Sequence, residues 1–508
     1  MKKSTKLSAG GLLTLLFVSA LLVTSSSAFQ KNEFEAAVKE FEPFIEKAFA
    51  VDMTPGLAVA VVKGNDTIYA RGFGYADIEA KRPVTPETMF YIASTTKSFT
   101  AFAAALLHHR GELDLDQPLS GYLPKLRLQP PLSSHDITLL DLLTHTHGIE
   151  NDGPVVFRTA YTGEHNHDQL VALLEKHPPA ANGRAFDYGN LGYNIASLAM
   201  DANLDIGWKD LIKREIFEPL GLKNTSSYLS KVDRNLLALP YAPEENGYRL
   251  VHYAKHDANM HAAGGHVSSV LDLAEWLKVH LNSGKVNGRQ IFPQEAVAET
   301  HRKQADQERE LLGFQRHGWG LGWDLATFEG DTLLHRPGSF TGFFSYVSFR
   351  PQHGIGVVVL VNGGYMGALL AATVTTYLYE NLLDKGGLAE KYEQRLADLQ
   401  ERSTQLRKRI GQDKARRAAR SQTLPNPLSA YTGTYENPEL GRMTWQLVNG
   451  KLEVSMGLLW SPAEVFNAEE NKFRLELTGR GEVVGFSFNA GQAESLTYRK
   501  QTFARVGS

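Results

Sequence analysis

Phe90-Tyr91-Ile92-Ala93-Ser94-Thr95-Thr96-Lys97-Ser98-Phe99-Thr100 decides the reading of this chain. Three apolar residues lead in, and an Ala/Leu/Phe run follows as far as Leu107. Phe99, Phe102 and Leu106 recur at helical spacing, which predicts a helix from Thr95 onward. Three residues make nearly one helical turn, so Ser94 and Lys97 face the same side. A serine hydroxyl is a weak nucleophile until a neighbouring base takes its proton. A buried lysine, its ammonium disfavoured by desolvation, can do that or hold a second base in place. Alone, the pair reads as a helix cap followed by an exposed lysine. Two further stretches downstream change the weighting.

The first is Phe186-Asp187-Tyr188-Gly189-Asn190-Leu191-Gly192-Tyr193. Its glycines bracket a tight loop that leads into an apolar helix from Tyr193 to Met200. A tyrosine beside a lysine loses its proton more easily, because a nearby cation favours the phenolate. Asn190 brings a donor and an acceptor to the same wall. The second is Leu333-Leu334-His335-Arg336-Pro337-Gly338-Ser339-Phe340-Thr341-Gly342-Phe343-Phe344-Ser345-Tyr346-Val347, read as strand, turn and strand. Pro337 places this strand at a sheet edge, where a backbone N–H can lie beside Ser94 and stabilise an oxyanion. Ile355 to Val361, nearly all Val/Ile/Leu, reads as a central strand.

Around these stretches, Gly56 to Val62 and Thr67 to Tyr75 form a hairpin about Lys63-Gly64-Asn65-Asp66. Ile137 to Gly148 reads as a helix capped by Thr138. His145 and His147 diverge on a helix and have no third ligand nearby, so they read as structural, as do His108-His109 and His165-Asn166-His167.

Composition bounds the rest. With 508 residues the chain can hold more than one domain, and its net charge of −3 argues against a nucleic-acid partner. Zero cysteines exclude disulfides and thiolate chemistry. Lys2, Lys3 and Lys6, the apolar run Gly10 to Val23 and the small residues Ser26-Ser27-Ala28 read as a cleaved export signal over 1–28. The run is shorter than the ~20 residues of a membrane span, so export to the periplasm or beyond is expected, with no stable membrane anchor left behind.

The three motifs together resemble the serine β-lactamase and penicillin-binding-protein superfamily, most closely its class C β-lactamase and esterase-like branch. That family uses S-x-x-K, then Y-x-N, then K-T-G or H-x-G. Here these are Ser94-Thr95-Thr96-Lys97, Tyr188-Gly189-Asn190 and Arg336-Pro337-Gly338. The resemblance implies an α+β fold, an antiparallel sheet flanked by helices, over 29–385. It further implies Ser94 as acylated nucleophile, Lys97 as its proton partner and Tyr188 as general base. Asn190 would hydrogen-bond the substrate amide or Lys97, Arg336 would meet the substrate, Gly338 would sit on the same strand, and the N–H groups of Ser94 and Ser339 would form the oxyanion hole. No metal or organic cofactor is implied. Arg336 and Pro337 replace the usual Lys and Thr, which turns a point charge into a rigid fork and removes a hydroxyl. The expected substrate is therefore a small ester, amide or D-amino-acid peptide. A true β-lactamase is the alternative, and a non-catalytic binding protein for cell-envelope ligands the reading from another class.

Past Gly386 the composition shifts. Tyr392, Leu396, Leu399, Ser403, Leu406 and Ile410 predict an amphipathic helix ending at Gly411 and packing on its own chain, with the basic stretch Lys414 to Arg420 as a solvated linker; 386–423 forms this connector. Over 424–508 short alternating strands turn at Asn437, Asn449-Gly450, Gly479-Arg480-Gly481 and Ala490-Gly491, which predicts a small antiparallel barrel. Tyr431 to Asn437 resembles the opening of the lipocalin-like domain appended to some serine peptidases of this superfamily, an appendage that caps the cleft or mediates assembly. Homo-oligomerisation stays open.

Overall fold

The computed structural model describes residues 38–252 and 255–507. The export signal expected over 1–28 lies outside the described residues. Strand β1 (Gly56–Lys63) and strand β2 (Asp66–Asp77) form the expected hairpin, and Arg82–Pro83 adds a short β3. The remaining strands of this sheet come from far downstream: β4 (Ala305–Leu311), β5 (Phe314–Trp319), β6 (Asp324–Phe328), β7 (Asp331–Phe340), β8 (Phe343–Arg350) and β9 (Ile355–Val361). Their order is β4-β5-β6-β7-β8-β9-β1-β2-β3, antiparallel throughout. Strand β9 is central, buried at every residue, as its unbroken Val/Ile/Leu content dictates.

Period-two alternation sorts the two faces. Leu57, Val59 and Val61 point into a core shared with Phe41, Ile45 and helix α4 (Gly364–Leu382). Ala58, Ala60 and Val62 point the other way, toward helices α1 (Thr96–His109) and α3 (Val270–Leu281). Helix α1 serves two cores at once. Phe99, Phe102 and Leu106 face the sheet and Trp276, whereas Ala101, Ala104 and Ala105 face a helical lobe containing α2 (Leu191–Asn203). Every residue of α1 from Thr96 to Leu107 is buried, so its first turn is held rigidly.

Strand β7 departs from the edge position expected from Pro337. It lies between β6 and β8. Strand β6 stops pairing at His335, however, and residues 336–340 pair with β8 alone. Pro337 thus sits on a locally free edge inside a strand that is otherwise interior, and the missing N–H costs no ladder bond.

Helix α5 (Leu388–Ala418) buries Tyr392, Leu399 and Ser403 against its own chain, as predicted. It does not end at Gly411. The helix runs on through Gly411, which meets only the mobile end of the Glu245 side chain, at a propensity cost of ~1 kcal/mol. The basic stretch beyond is solvated, as expected, but it continues the helix to Ala418 instead of forming a linker. Arg417 donates to Glu464 at 2.7 Å and Lys414 pairs with Glu244 at 3.3 Å, tying the helix to both neighbours.

Nine strands follow: β10 (Gly433–Asn437), β11 (Gly441–Val448), β12 (Lys451–Met456), β13 (Leu459–Pro462), β14 (Glu464–Asn467), β15 (Lys472–Leu475), β16 (Glu482–Asn489), β17 (Gln492–Tyr498) and β18 (Gln501–Val506). The order β13-β12-β11-β10-β18-β17-β16-β15-β14 puts chain neighbours at the two ends, so the sheet curls into a nearly closed barrel. Its interior is packed by Tyr435, Trp445, Phe473, Phe486, Leu496 and Phe503. The barrel docks on the larger, sheet-and-helix unit. Phe157 enters its core cluster, Phe340 packs against both cores, and Thr341 Oγ1 donates to the Thr478 carbonyl at 3.3 Å.

Candidate active site

Ser94 lies in a 3-10 turn, Ala93–Thr95, that runs directly into α1. Ala93 is left-handed, with φ of 45°, a sparsely populated conformation for a residue with a Cβ. The surroundings hold it there. Ser345 Oγ donates to the Ile92 carbonyl at 2.8 Å, and Thr95 Oγ1 lies 3.0 Å from the Arg336 carbonyl. Gly338 completes the fit. A Cβ on it would stand 2.0 Å from the Ile92 oxygen, so only glycine lets β7 lie against the turn. Ser339, the next residue, is exposed on the free edge.

Lys97 is fully buried and its Nζ spends three donors on three acceptors: Ser94 Oγ at 3.2 Å, Asn190 Oδ1 at 2.7 Å and the Ala263 carbonyl at 2.9 Å. Asn190 is presented by its place at the N-cap of α2. Burial brings the Lys97 ammonium down to about 8; Arg336 adds to this, while Tyr188 and Asp324 oppose it.

Tyr188 stands over the same group, its ring centroid 5.0 Å from Lys97 Nζ. Its loop is pinned by Asn151, which donates to the Asp187 carbonyl at 2.9 Å, and by Gly189, where a Cβ would meet Asn151 Oδ1 at 1.9 Å. The Tyr188 hydroxyl is buried with no hydrogen bond of ordinary geometry among the described residues. Burial pushes this phenol up, but Arg336, then Lys97 and the Ser94 hydroxyl, outweigh it and leave it below its usual value. The structure thus brings Ser94, Lys97, Tyr188 and Asn190 into one cluster, with Gly338 and Ser339 alongside.

Arg336 is placed differently from the expected substrate-facing cation. Only 3 % exposed, it lies between the rings of Tyr188 and Trp319 at 5.0 and 4.9 Å and pairs with Asp324 at 3.2 Å. Asp324 is fully buried and also accepts from Arg316 at 3.0 Å and Gln307 at 2.9 Å. Burial opposes its ionisation, yet Arg336, His335 and Arg316 keep the carboxyl below its usual value. His145, with φ of 63°, sits 4.8 Å from the Tyr188 ring and is held neutral chiefly by burial. Sequence reasoning missed Asp324, Arg316, Gln307 and Trp319. A lone acid at the start of a short strand carries no motif, and only the β5-β6-β7 register brings it to Arg336.

Outside this cluster, His108 is not without carboxylate neighbours. Asp114 and Asp116 place ligand atoms within 4.8 Å of it and of each other. Both aspartates are exposed.

The sequence profile of the beta-lactamase family matches residues 45–377, more than half of the chain. The chain belongs to the beta-lactamase family. Among its relatives is a beta-lactamase of Providencia stuartii, 26 % identical over 378 residues, covering 68 % of this chain and 91 % of that protein. Of solved structures, the octameric penicillin-binding protein homologue from Pyrococcus abyssi is 26 % identical with a TM-score of 0.59. It spans 92 % of this chain and all of its own. The D-amino acid amidase of Ochrobactrum anthropi SV3 shares the fold, at 21 % identity and a TM-score of 0.58 over 68 % of this chain and 99 % of its own. The last match covers a share of the chain like that of the beta-lactamase unit, while the Pyrococcus abyssi match extends across most of the barrel as well.

Proposed function

We propose that this beta-lactamase family member is an exported serine hydrolase that acylates Ser94 with small amide, ester or D-amino-acid peptide substrates. The observation that carries the reading is the Lys97 amine, buried between Ser94 Oγ and Asn190 with the Tyr188 phenol above it. In the acylation step the Ser94 proton passes to the Tyr188 oxygen, with Lys97 steadying the transfer, as Oγ bonds to the carbonyl carbon. The phenol then returns the proton to the departing nitrogen or oxygen as that bond breaks. Deacylation repeats the sequence with water in place of Ser94. The backbone N–H groups of Ser94 and Ser339 receive the oxyanion, where each donor is worth ~10²–10³ in rate.

A β-lactam carboxylate would need a free cation or hydroxyl at the first two positions of the third motif. Arg336 is committed to Asp324, and Pro337 has no hydroxyl to offer. The reading therefore favours substrates without a carboxylate at that position. A panel of p-nitrophenyl esters, D- and L-aminoacyl anilides and nitrocefin tests it, with Ser94→Ala as the blank. Ester or anilide turnover that vanishes in S94A is expected. Efficient nitrocefin turnover would move the protein to the β-lactamases, and ligand binding unchanged in S94A without any turnover would make it a binding protein. Assembly, as in the octameric Pyrococcus abyssi homologue, belongs to the same reading and is measured by light scattering.

A further inference from the structure

Behind Tyr188 lies a charge cluster that the acyl-transfer scheme does not use. Arg316, Asp324 and Arg336 come from three successive strands, β5, β6 and β7, and none is more than 5 % exposed. One carboxylate serves two guanidiniums, at 3.0 and 3.2 Å. Gln307 adds a neutral donor and no charge. The cluster therefore holds one cation in excess in a region where an uncompensated charge is costly.

The groups facing Tyr188 locate the compensating anion. From the nucleophile side come the Ser94 hydroxyl and the Lys97 amine. His145, on the Ile137 to Gly148 segment, is neutral, and its other charged neighbours are Lys97, Arg336 and Arg309, all cationic. Tyr193 of α2 is held protonated by burial. His335, beside Arg336, is neutral as well. Tyr188 is thus the remaining acid of this set able to balance the second guanidinium.

We propose that Asp324 and Arg316 are positioning residues for acyl transfer, sharing one carboxylate between two guanidiniums so that Arg336 keeps net positive charge against the Tyr188 ring. This rests on the hydrolase reading above. Neither residue touches substrate; both act through Arg336. Their effects have opposite signs. Removing Arg316 leaves Asp324 wholly to Arg336, weakens the pull on the phenol and makes the base harder to deprotonate. Removing the Asp324 charge frees both guanidiniums and makes it easier.

The test is the pH dependence of Ser94 labelling by a fluorophosphonate on the purified full-length protein, with the adduct mapped by mass spectrometry. No knowledge of the substrate is needed. In Arg316→Gln the midpoint rises by about one unit, so labelling at pH 6 slows about tenfold. In Asp324→Asn the midpoint falls and labelling at pH 6 quickens. Arg302→Gln, an exposed charge change on the surface, leaves the midpoint where it was. Asp324→Asn may be replaced as evidence by Arg316→Gln if it does not fold, because R316Q retains a balanced pair. Wild-type labelling at Ser94 with an unmoved midpoint in R316Q overturns the inference and leaves the hydrolase reading standing. Absence of any Ser94 adduct in the wild type overturns both.

Discussion

Two of the places where arginines converge on an acidic side chain differ in their solvent. Behind the cleft, Arg316 and Arg336 hold Asp324 with no more than 6 % of any of the three side chains exposed. At the junction of α5 with the barrel, Arg417, Arg420 and Arg474 converge on Glu464, with 19–34 % of each exposed. Water and salt screen the second set, so each pair is worth ~0–1 kcal/mol. The first set is barely screened, and breaking it strands a charge. Similar chemistry therefore sits behind the proposed base in one place and fastens a domain in the other.

The sharpest way to separate the two is to remove the charge at the centre of the buried region. Lys97→Met is expected to slow acylation of Ser94 by ~10²–10⁴, read as the fluorophosphonate labelling rate; a loss under threefold would remove Lys97 from the chemistry. Next comes stability. Asp324→Ala should cost ~3–5 kcal/mol in urea unfolding, against ~0–1 kcal/mol for Arg420→Ala, which removes one exposed pair at Glu464. Equal losses would erase the distinction drawn here.

Acid offers a third probe. Burial holds His147, His301 and His335 down at about 4 and His266 at about 3. The unfolded chain takes up their protons near pH 6.5, so below that pH it binds more protons than the folded one. Stability is full above about 6.5 and falls as pH drops toward 4. The urea midpoint should therefore be lower at pH 5 than at pH 7.5, and an unchanged midpoint would contradict neutral burial of these rings. The smallest effect is expected of salt. Raising NaCl to 1 M should speed proteolysis near 419–427 without altering Ser94 labelling, because only the junction pairs are screened.

Much of this was legible in the sequence. Apolar periodicity gave α1 and the β1–β2 hairpin, and the turn residues Asn449-Gly450 and Ala490-Gly491 fall between barrel strands as expected. Thr138 caps its helix through a reciprocal pair with Asp141. Ser94, Lys97, Tyr188 and Asn190 were readable because each sits in a short motif of its own. What escaped depends on partners distant in the chain. Gly411 looked like a stop because its local propensity is that of a stop; the pairs that Lys414 and Arg417 make beyond it are invisible locally. Pro337 looked like an edge residue because the end of β6 pairing at His335 is set by register. Arg336 looked free to meet substrate because nothing near it in sequence announces Asp324.

Strand β7 has a consequence that reaches beyond the cleft. Its last five residues run from the Arg336 ion pair, past the glycine that touches the Ser94 turn, to Phe340, whose ring is wedged between two hydrophobic interiors. Tilting the barrel must drag that ring, and Ser339 is its immediate neighbour. The barrel's packing on Phe340 and the proposed oxyanion donor Ser339 are thus one peptide unit apart.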